Sequence, residues 1–118
     1  MKLIVAGGRN FDNTDYLIKC LTELANEGKI PDEPELVCGM APGADRTAWN
    51  LWHNANMPIH AFPANWNKFG KRAGIIRNAE MGDYADVLVA FWDGQSKGTK
   101  HMIEYMTKLG KPVYVFKY

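Results

Sequence analysis

The stretch DGQSKGTKH, residues 93–101, combines glycines, hydroxyl side chains and cations between an apolar run and a helix-like run. Its glycines let backbone N–H groups approach an anion closely, Lys97 adds positive charge, and its serine or threonine can cap the helix that follows. The stretch therefore predicts a phosphate-binding loop that leads into a helix. Its candidate ligand-binding residues are Gly94, Ser96, Lys97, Gly98 and Thr99.

A second glycine-containing turn follows the apolar run at the start of the chain. Gly7 and Gly8 allow the backbone to turn tightly and to lie close to a ligand. Arg9 comes directly after them and carries a planar, permanently charged guanidinium group that suits phosphate or carboxylate. All three residues are candidates for ligand binding.

A third candidate loop, GMAPGADR, follows the apolar run ELVC and leads into a helix-like segment. The free N–H groups at the start of a helix bind anions well. Gly39 and Gly43 are candidates for the wall of a binding site, together with Arg46 in the first helical turn. Asp45 either accepts a hydrogen bond from a ribose hydroxyl or orients Arg46, and it is a weak candidate for a catalytic acid.

A fourth loop, PANWNKFGKR, is rich in amides, aromatic rings and cations. Trp66 is the best candidate for an aromatic wall because its neighbours in the loop are polar or charged. Arg77 and Asn78, in the next predicted helix, are expected to reach into the same site. No acidic residue lies between Asp45 and Glu80, so this part of the chain predicts a positive surface although the net charge is only +1.

Strand and helix signals alternate along the 118 residues, and each candidate loop follows a strand. Short apolar runs predict strands over 3–6, 35–39, 58–62, 86–92 and 112–116, and helical spacing predicts helices over about 14–27, 44–55, 72–83 and 102–109. Asp12 or Thr14 is expected to cap the first helix. The pattern predicts a single α/β domain over residues 1–118: a Rossmann-like, three-layer fold with about five mostly parallel strands and helices on both faces. Ligands of such folds bind at the carboxyl ends of the strands, where the candidate residues lie.

Several other functional classes lack their sequence signatures. Neither the dinucleotide-binding pattern GxGxxG nor the nucleotide-triphosphate pattern GxxxxGK[ST] occurs, and no histidine or cysteine spacing indicates a metal site. We therefore expect no cofactor and no metal. No apolar run is long enough for a membrane span or a signal peptide, so we expect a cytoplasmic protein whose Cys20 and Cys38 are reduced.

Taken together and in order, the segments GGRNF, CGMAPGADRTAW, FPANW and AFWDGQSKGTKHMIEYM resemble the YspA-like (cpYpsA-related) family of the SLOG superfamily. The resemblance extends from Gly7 to Phe116. It implies a Rossmann-like fold with a pocket for a nucleotide or a nucleotide-derived ligand. The superfamily includes nucleotide sensors, DNA-processing proteins and lysine-decarboxylase-like phosphoribohydrolases, and members of this branch are often found in phages or mobile elements.

The hydrolytic relatives carry a glutamate one helical turn after the G-T of their phosphate loop, and this chain departs from that pattern. Gly98 and Thr99 match the G-T, but Met102 stands at the position of the glutamate. Glu104 is the nearest acid and a weak catalytic candidate, because two residues along a helix rotate a side chain by about 200°. Its spacing from Lys100 and Lys108 instead predicts an exposed row of ion pairs.

Three functions remain open at this point. The first is the binding or sensing of a nucleotide-derived small molecule by a protein that is not an enzyme. The second is hydrolysis of the N-glycosidic bond of a nucleotide. The third is binding of single-stranded nucleic acid, against which the near-neutral total charge argues. The enzymatic relatives often pair through helices, so analogy suggests a homodimer.

Overall fold

The computed structural model describes residues 1–118, and its five strands form one sheet. The strands are β1 (Lys2–Gly7), β2 (Glu35–Cys38), β3 (Ile59–Ala61), β4 (Val87–Trp92) and β5 (Val113–Lys117). They lie in the order β3-β2-β1-β4-β5, and every neighbouring pair is parallel. The predicted α/β class with a parallel sheet is confirmed.

Five α-helices and one short 3₁₀ turn connect these strands. The α-helices are α1 (Thr14–Asn26), α2 (Ala44–Asn54), α3 (Trp66–Phe69), α4 (Ala73–Tyr84) and α5 (Lys97–Lys108), and the 3₁₀ turn covers Gly70–Arg72. The sequence did not predict α3 or the 3₁₀ turn, because a four-residue helix is too short to show helical periodicity. The last helix also begins earlier than its apolar stripe indicates, at Lys97.

The cap of α1 differs from the prediction. Asn13, and not Asp12 or Thr14, is the N-cap residue, and its Oδ1 accepts a hydrogen bond of 3.0 Å from the N–H of Tyr16. All three residue types can cap a helix, so their chemistry alone did not distinguish the position. Thr14 is the first helical residue instead.

Alternating residues of β1 pack against different helices, which places a helical layer on each face of the sheet. Leu3 and Val5 lie in a buried cluster with side chains of α1 and α2. Ile4 and Ala6 lie in a second cluster with side chains of α4 and α5. A strand buried on both faces has the continuous apolar sequence that β1 shows.

Both cysteines are buried and free, in agreement with the prediction of reduced thiols. Burial raises the pKa of the Cys38 thiol to about 11. Trp52 is also buried, as its place in an apolar stripe predicted, and its Nε1 donates a hydrogen bond of 2.8 Å to the carbonyl of Pro34. No helix of the protein is both long and apolar enough to cross a membrane.

The strand order creates a switch point between β1 and β4. The chain builds outward from β1 through β2 to β3 and then returns, so that β4 pairs with the other side of β1. The crossover carries α4 to the face on which α5 also packs. At such a switch point, the loops at the carboxyl ends of the strands diverge and leave a crevice.

Candidate functional site

A cavity of about 450 Å³ lies at the carboxyl end of the sheet. Four cationic side chains and no carboxylate are found among its 16 lining residues. The cations come from four different segments of the chain, and they are Arg9, Lys71, Arg77 and Lys97. We call this space the outer cavity. Its size is within the range of small-molecule sites, and its charge suits an anion.

One wall of the outer cavity is apolar. Trp66 and Ile75 both line it, and each remains 56% exposed although both side chains are large and hydrophobic. Gly74 lies beneath the tryptophan, where an added Cβ would be 3.7 Å from Cη2 of Trp66. An exposed indole beside a cationic surface can stack on a planar ring such as a nucleotide base.

A smaller space of about 150 Å³, the inner cavity, lies against the same segments. It shares Arg9, Arg77, Asn78 and Gly98 with the outer cavity, together with part of the loop after β2. Residues that line only the inner cavity include Gly7, Asp45, Ser96, Thr99 and Met102. The carboxyl group of Asp45 is the only one in the lining of either cavity.

Close contact between two loops fixes the entry to α2. Gly43 has φ +86°, and a Cβ at this position would be 2.6 Å from Cα of Arg9 and would collide with the carbonyl oxygen of Gly8. Only glycine fits such a contact. The hydroxyl of Thr47 lies 3.2 Å from the carbonyl oxygen of Phe11 and 2.9 Å from that of Gly43, so it can donate its one proton to either loop. The positions of the loops after β1 and β2 are therefore coupled.

Asp45 holds the loop after β2 from the first turn of α2. Only 6% of the residue is exposed, and its carboxylate accepts a hydrogen bond of 3.3 Å from the N–H of Ala41 and lies close to the backbone of Gly39. Burial raises the pKa of Asp45 to about 6, and the nearby backbone N–H groups and the charge of Arg77 oppose the rise. The carboxylate is ionised at neutral pH in a mainly buried position.

Arg77 reaches from α4 to the same loop without pairing with Asp45. Its Nη1 donates to the carbonyl of Gly39 at 3.0 Å, and its buried Nε has no acceptor. The only ion pair within 4.0 Å in the protein joins Lys29 and Glu27. A Cβ added to Gly39 would be 2.8 Å from Oδ2 of Asp45 and 3.1 Å from Nε of Arg77, so a side chain there would disturb both groups.

The stretch that leads into α5 forms an ordered turn. Asp93 accepts hydrogen bonds of 2.8 Å from the N–H groups of Gln95 and Ser96, which hold its pKa below the usual range. Ser96 is the N-cap residue of α5. The sequence predicted that either Ser96 or Thr99 caps this helix, and the structure confirms Ser96. Asn78 is buried and donates to the carbonyl of Gly98 at 3.2 Å, which ties the first turn of α5 to α4.

Most of the predicted site residues come together at the two cavities. Those that line one or both are Gly7, Arg9, Gly39, Asp45, Trp66, Arg77, Asn78, Ser96, Lys97, Gly98 and Thr99. Gly8 lies instead beneath the hydroxyl of Tyr118, and Gly94 lines neither cavity. Gly43 and Arg46 border a separate polar groove, which they share with Arg9.

The catalytic candidate Glu104 lies apart from this site. It is exposed on α5 and lines neither cavity, whereas Met102 is buried beside the inner cavity. The predicted ion pairs of Glu104 with Lys100 and Lys108 do not form within 4.0 Å. Exposed side chains gain little from pairing in water, which explains why helical spacing alone did not produce the contacts.

Sequence reasoning missed several residues that line the outer cavity. Lys71 belongs to the acid-free window, but its position in the 3₁₀ turn was not predicted. His101 lies one helical turn after Lys97, and its Nδ1 is 3.3 Å from Nδ2 of Asn78. The i, i+4 spacing of the lysine and the histidine is the signal that could have placed both on one face of α5.

Comparison with known proteins identifies the family of this chain. The profile of the YspA, cpYpsA-related SLOG family matches residues 1–69, more than half of the chain. The chain belongs to this family. For a SLOG protein, binding of a nucleotide-related ligand is the expected general role, and the match does not specify the ligand. The matched segment of this SLOG protein includes the loops after β1 and β2 and Trp66, whereas Arg77 and α5 lie beyond it.

A phage protein shares part of this SLOG sequence. The chain is 41% identical over 75 residues to the Gene 61 protein of Mycobacterium phage D29, which covers 62% of this chain and 60% of the relative. The aligned region thus spans three fifths of the length of that relative. No solved structure matches the chain.

Proposed function

We propose that this SLOG protein binds and senses a nucleotide or a nucleotide-derived phosphate at the carboxyl ends of its strands. The observation that carries the proposal is the composition of the outer cavity, in which four cations and an exposed indole meet without a carboxylate. A phosphate needs the first feature and a base can use the second. The family match supports a nucleotide-related ligand in general terms.

Two groups of lining residues, the cationic residues of α4 and α5 and the exposed indole of Trp66, suggest how such a ligand would lie. Lys97 and Gly98, in the first turn of α5, offer a positive side chain and free backbone N–H groups to the phosphate. Arg77 adds a guanidinium group from α4. Trp66 is on the apolar side, where a base would stack on its exposed ring.

We favour binding over N-glycosidic hydrolysis because the outer cavity has no carboxyl group in its lining. A hydrolase of this kind needs an acid close to the leaving base or to the attacking water. Glu104 is on the exposed side of α5, and Asp45 lines the inner cavity but not the outer cavity beside Trp66, where the leaving base would lie.

Ligand binding can be tested with the purified protein. Mass spectrometry of the denatured protein would identify a co-purified small molecule, and a panel of nucleotides would then be screened by thermal unfolding. A ligand at a hundredfold excess over its Kd stabilises the folded state by about 2.7 kcal/mol. We expect at least one nucleotide to raise the unfolding midpoint, and the corresponding nucleoside without phosphate to raise it less.

The same experiment separates the other two functions. No bound species and no stabilisation by any nucleotide would contradict the proposal. Release of a free base from a nucleoside monophosphate, lost in an Asp45 or Glu104 variant, would favour the hydrolase. Salt-sensitive binding of oligonucleotides that weakens in Trp66→Ala, without binding of mononucleotides, would favour a nucleic-acid-binding protein.

A further inference from the structure

A buried carboxylate beside an anion-binding cavity requires an explanation. Asp45 is 6% exposed and contributes the only carboxyl group of the inner cavity, which Arg9 and Arg77 also line. Its negative charge repels a phosphate in a region where burial weakens screening. The phosphate should therefore lie away from Asp45, and a different part of the ligand should lie beside it.

The chemistry of Asp45 selects a hydrogen-bond donor. An ionised carboxylate only accepts hydrogen bonds, and it offers about four acceptor positions on two oxygens. The backbone N–H of Ala41 uses part of this capacity. A hydroxyl or amino group of a ligand could use the remainder and would partly replace the water that burial removes.

The position of the inner cavity indicates which part of a nucleotide carries that donor. The inner cavity adjoins the outer cavity at Arg77, Asn78 and Gly98, next to the proposed phosphate end at α5. In a nucleotide, the sugar lies between the phosphate and the base. A space of about 150 Å³ beside this junction suits hydroxyl groups of the sugar.

We propose that Asp45 accepts a hydrogen bond from a ribose hydroxyl of the bound nucleotide and thereby selects ribonucleotides over deoxyribonucleotides. The inference rests on the proposed nucleotide site and adds to it the class of sugar. A site that hydrogen-bonds a hydroxyl rejects an analogue that lacks it, because the polar group of the site is then left without its partner.

A purely structural role of Asp45 gives a different expectation. The carboxylate also holds the loop after β2 through the N–H of Ala41, and removing it would disturb that loop with any ligand. A structural role would weaken ribonucleotides and deoxyribonucleotides equally. The ratio of the two affinities therefore separates recognition of the ligand from support of the loop.

The test is calorimetric titration of the intact protein with AMP, GMP, CMP and UMP and with their 2′-deoxy and 3′-deoxy counterparts. Ribose 5-phosphate and 2-deoxyribose 5-phosphate extend the series to ligands without a base amino group. We expect loss of the recognised hydroxyl to weaken binding roughly ten- to hundredfold, as for a hydrogen bond to a charged group.

Two variants assign this selectivity to a residue. Asp45→Asn keeps the shape but loses the negative charge and one of the two acceptor oxygens, and we expect it to reduce the ratio of ribonucleotide to deoxyribonucleotide affinity severalfold. Asp15→Asn is the matched control, because Asp15 is exposed in the first turn of α1 and should leave the ratio unchanged. Circular dichroism checks that both variants are folded. If Asp45→Asn is not folded, equal affinities of wild type for the two series still overturn the inference.

Each outcome decides the inference. Equal affinities of wild type for ribonucleotides and for both deoxy series would overturn it while leaving the proposed function intact. Undiminished selectivity in folded Asp45→Asn, or selectivity for a base amino group only, would also overturn it. Failure of every phosphate-bearing compound to bind would reject the nucleotide site together with the inference.

Discussion

At the scale of single residues, the buried carboxylate of Asp45 makes the stability of the protein depend on pH. The pKa is 3.8 for an ordinary aspartate and about 6 for Asp45 in the folded protein, chiefly because burial disfavours the charged form. The folded state therefore binds this proton more tightly than the unfolded state. The stabilising effect is complete below pH 3.8 and is lost as the pH rises through about 6.

We expect Asp45→Asn to remove this pH dependence. A rise of the pKa from 3.8 to about 6 corresponds to roughly 2 kcal/mol of unfolding free energy lost by wild type between pH 4 and pH 7. Urea unfolding at both pH values measures it. When the pH is raised from 4 to 7, the unfolding free energy of Asp45→Asn should increase by this amount relative to that of wild type. Unfolding free energies that change in parallel with pH in the two proteins would contradict the raised pKa of Asp45.

The second residue-level prediction concerns Arg77. Arg77→Ala removes a cation from both cavities and a hydrogen bond to the carbonyl of Gly39. Loss of a charged contact to phosphate should weaken nucleotide binding roughly tenfold or more, while the domain stays folded. Titration and thermal unfolding measure the two effects separately.

Arg72→Ala provides the control for Arg77→Ala, because Arg72 is exposed in the neighbouring 3₁₀ turn and lines neither cavity. It lowers the net charge equally and should leave the affinity almost unchanged. If Arg77→Ala unfolds the protein, Arg77 has a structural role, and if both variants weaken binding equally, the effect is one of general charge.

At the scale of elements, Gly98 in the first turn of α5 is unfavourable for the stability of the helix but leaves space for a ligand. Gly98 is helical, and a Cβ added to it would have no neighbour within 4 Å. Alanine is favoured over glycine in a helix by about 1 kcal/mol. The glycine thus costs stability and leaves open space in the lining of both cavities.

Gly98→Ala should therefore stabilise the fold and weaken nucleotide binding together. We expect the unfolding free energy to rise by about 0.5–1 kcal/mol and the affinity to fall severalfold, because the methyl group occupies the space of the phosphate. Lys100→Ala is the control, as Lys100 is exposed on the same helix and lines neither cavity. A more stable Gly98→Ala with unchanged affinity would exclude a phosphate at this turn.

The elements were largely predictable from the sequence, and the exceptions have local causes. β4 is a continuous apolar run and α2 has a clear apolar stripe, so periodicity placed both closely. α3 is too short for periodicity and was missed. The start of α5 was placed too late because its first turn is polar and glycine-containing, which is typical of a loop as well as of a helix that begins at a binding site.

At the scale of the whole molecule, strand order determines which candidates meet, and the sequence does not encode strand order in any local pattern. Arg77 and Gly98 come together because β4 returns to β1 and places α4 beside α5. Arg46 follows the correct strand but points into a separate groove. Knowing that a residue follows a strand predicts the edge of the sheet on which it lies, but not its cavity.

The charge distribution of the whole molecule gives a further prediction. The net charge is only +1, but four cations are concentrated at the outer cavity. Nucleotide affinity should fall steadily as salt rises from 0.05 to 0.5 M, because screening shortens the Debye length to below about 10 Å above 0.1 M. Binding of the uncharged nucleoside, measured by titration at high concentration, should change little, and equal salt dependence of both would argue against a phosphate among these cations.

The most direct test of the nucleotide site is a map of amide chemical shifts in the ¹⁵N-labelled protein during titration with a nucleoside monophosphate. We predict saturable changes in the loop after β2, at the indole of Trp66, around Arg77 and in the first turn of α5. The apolar groove between α1 and α2, which includes Leu21 and Leu51, should remain unchanged. Changes confined to that groove, or no saturable change with any nucleotide, would contradict the account.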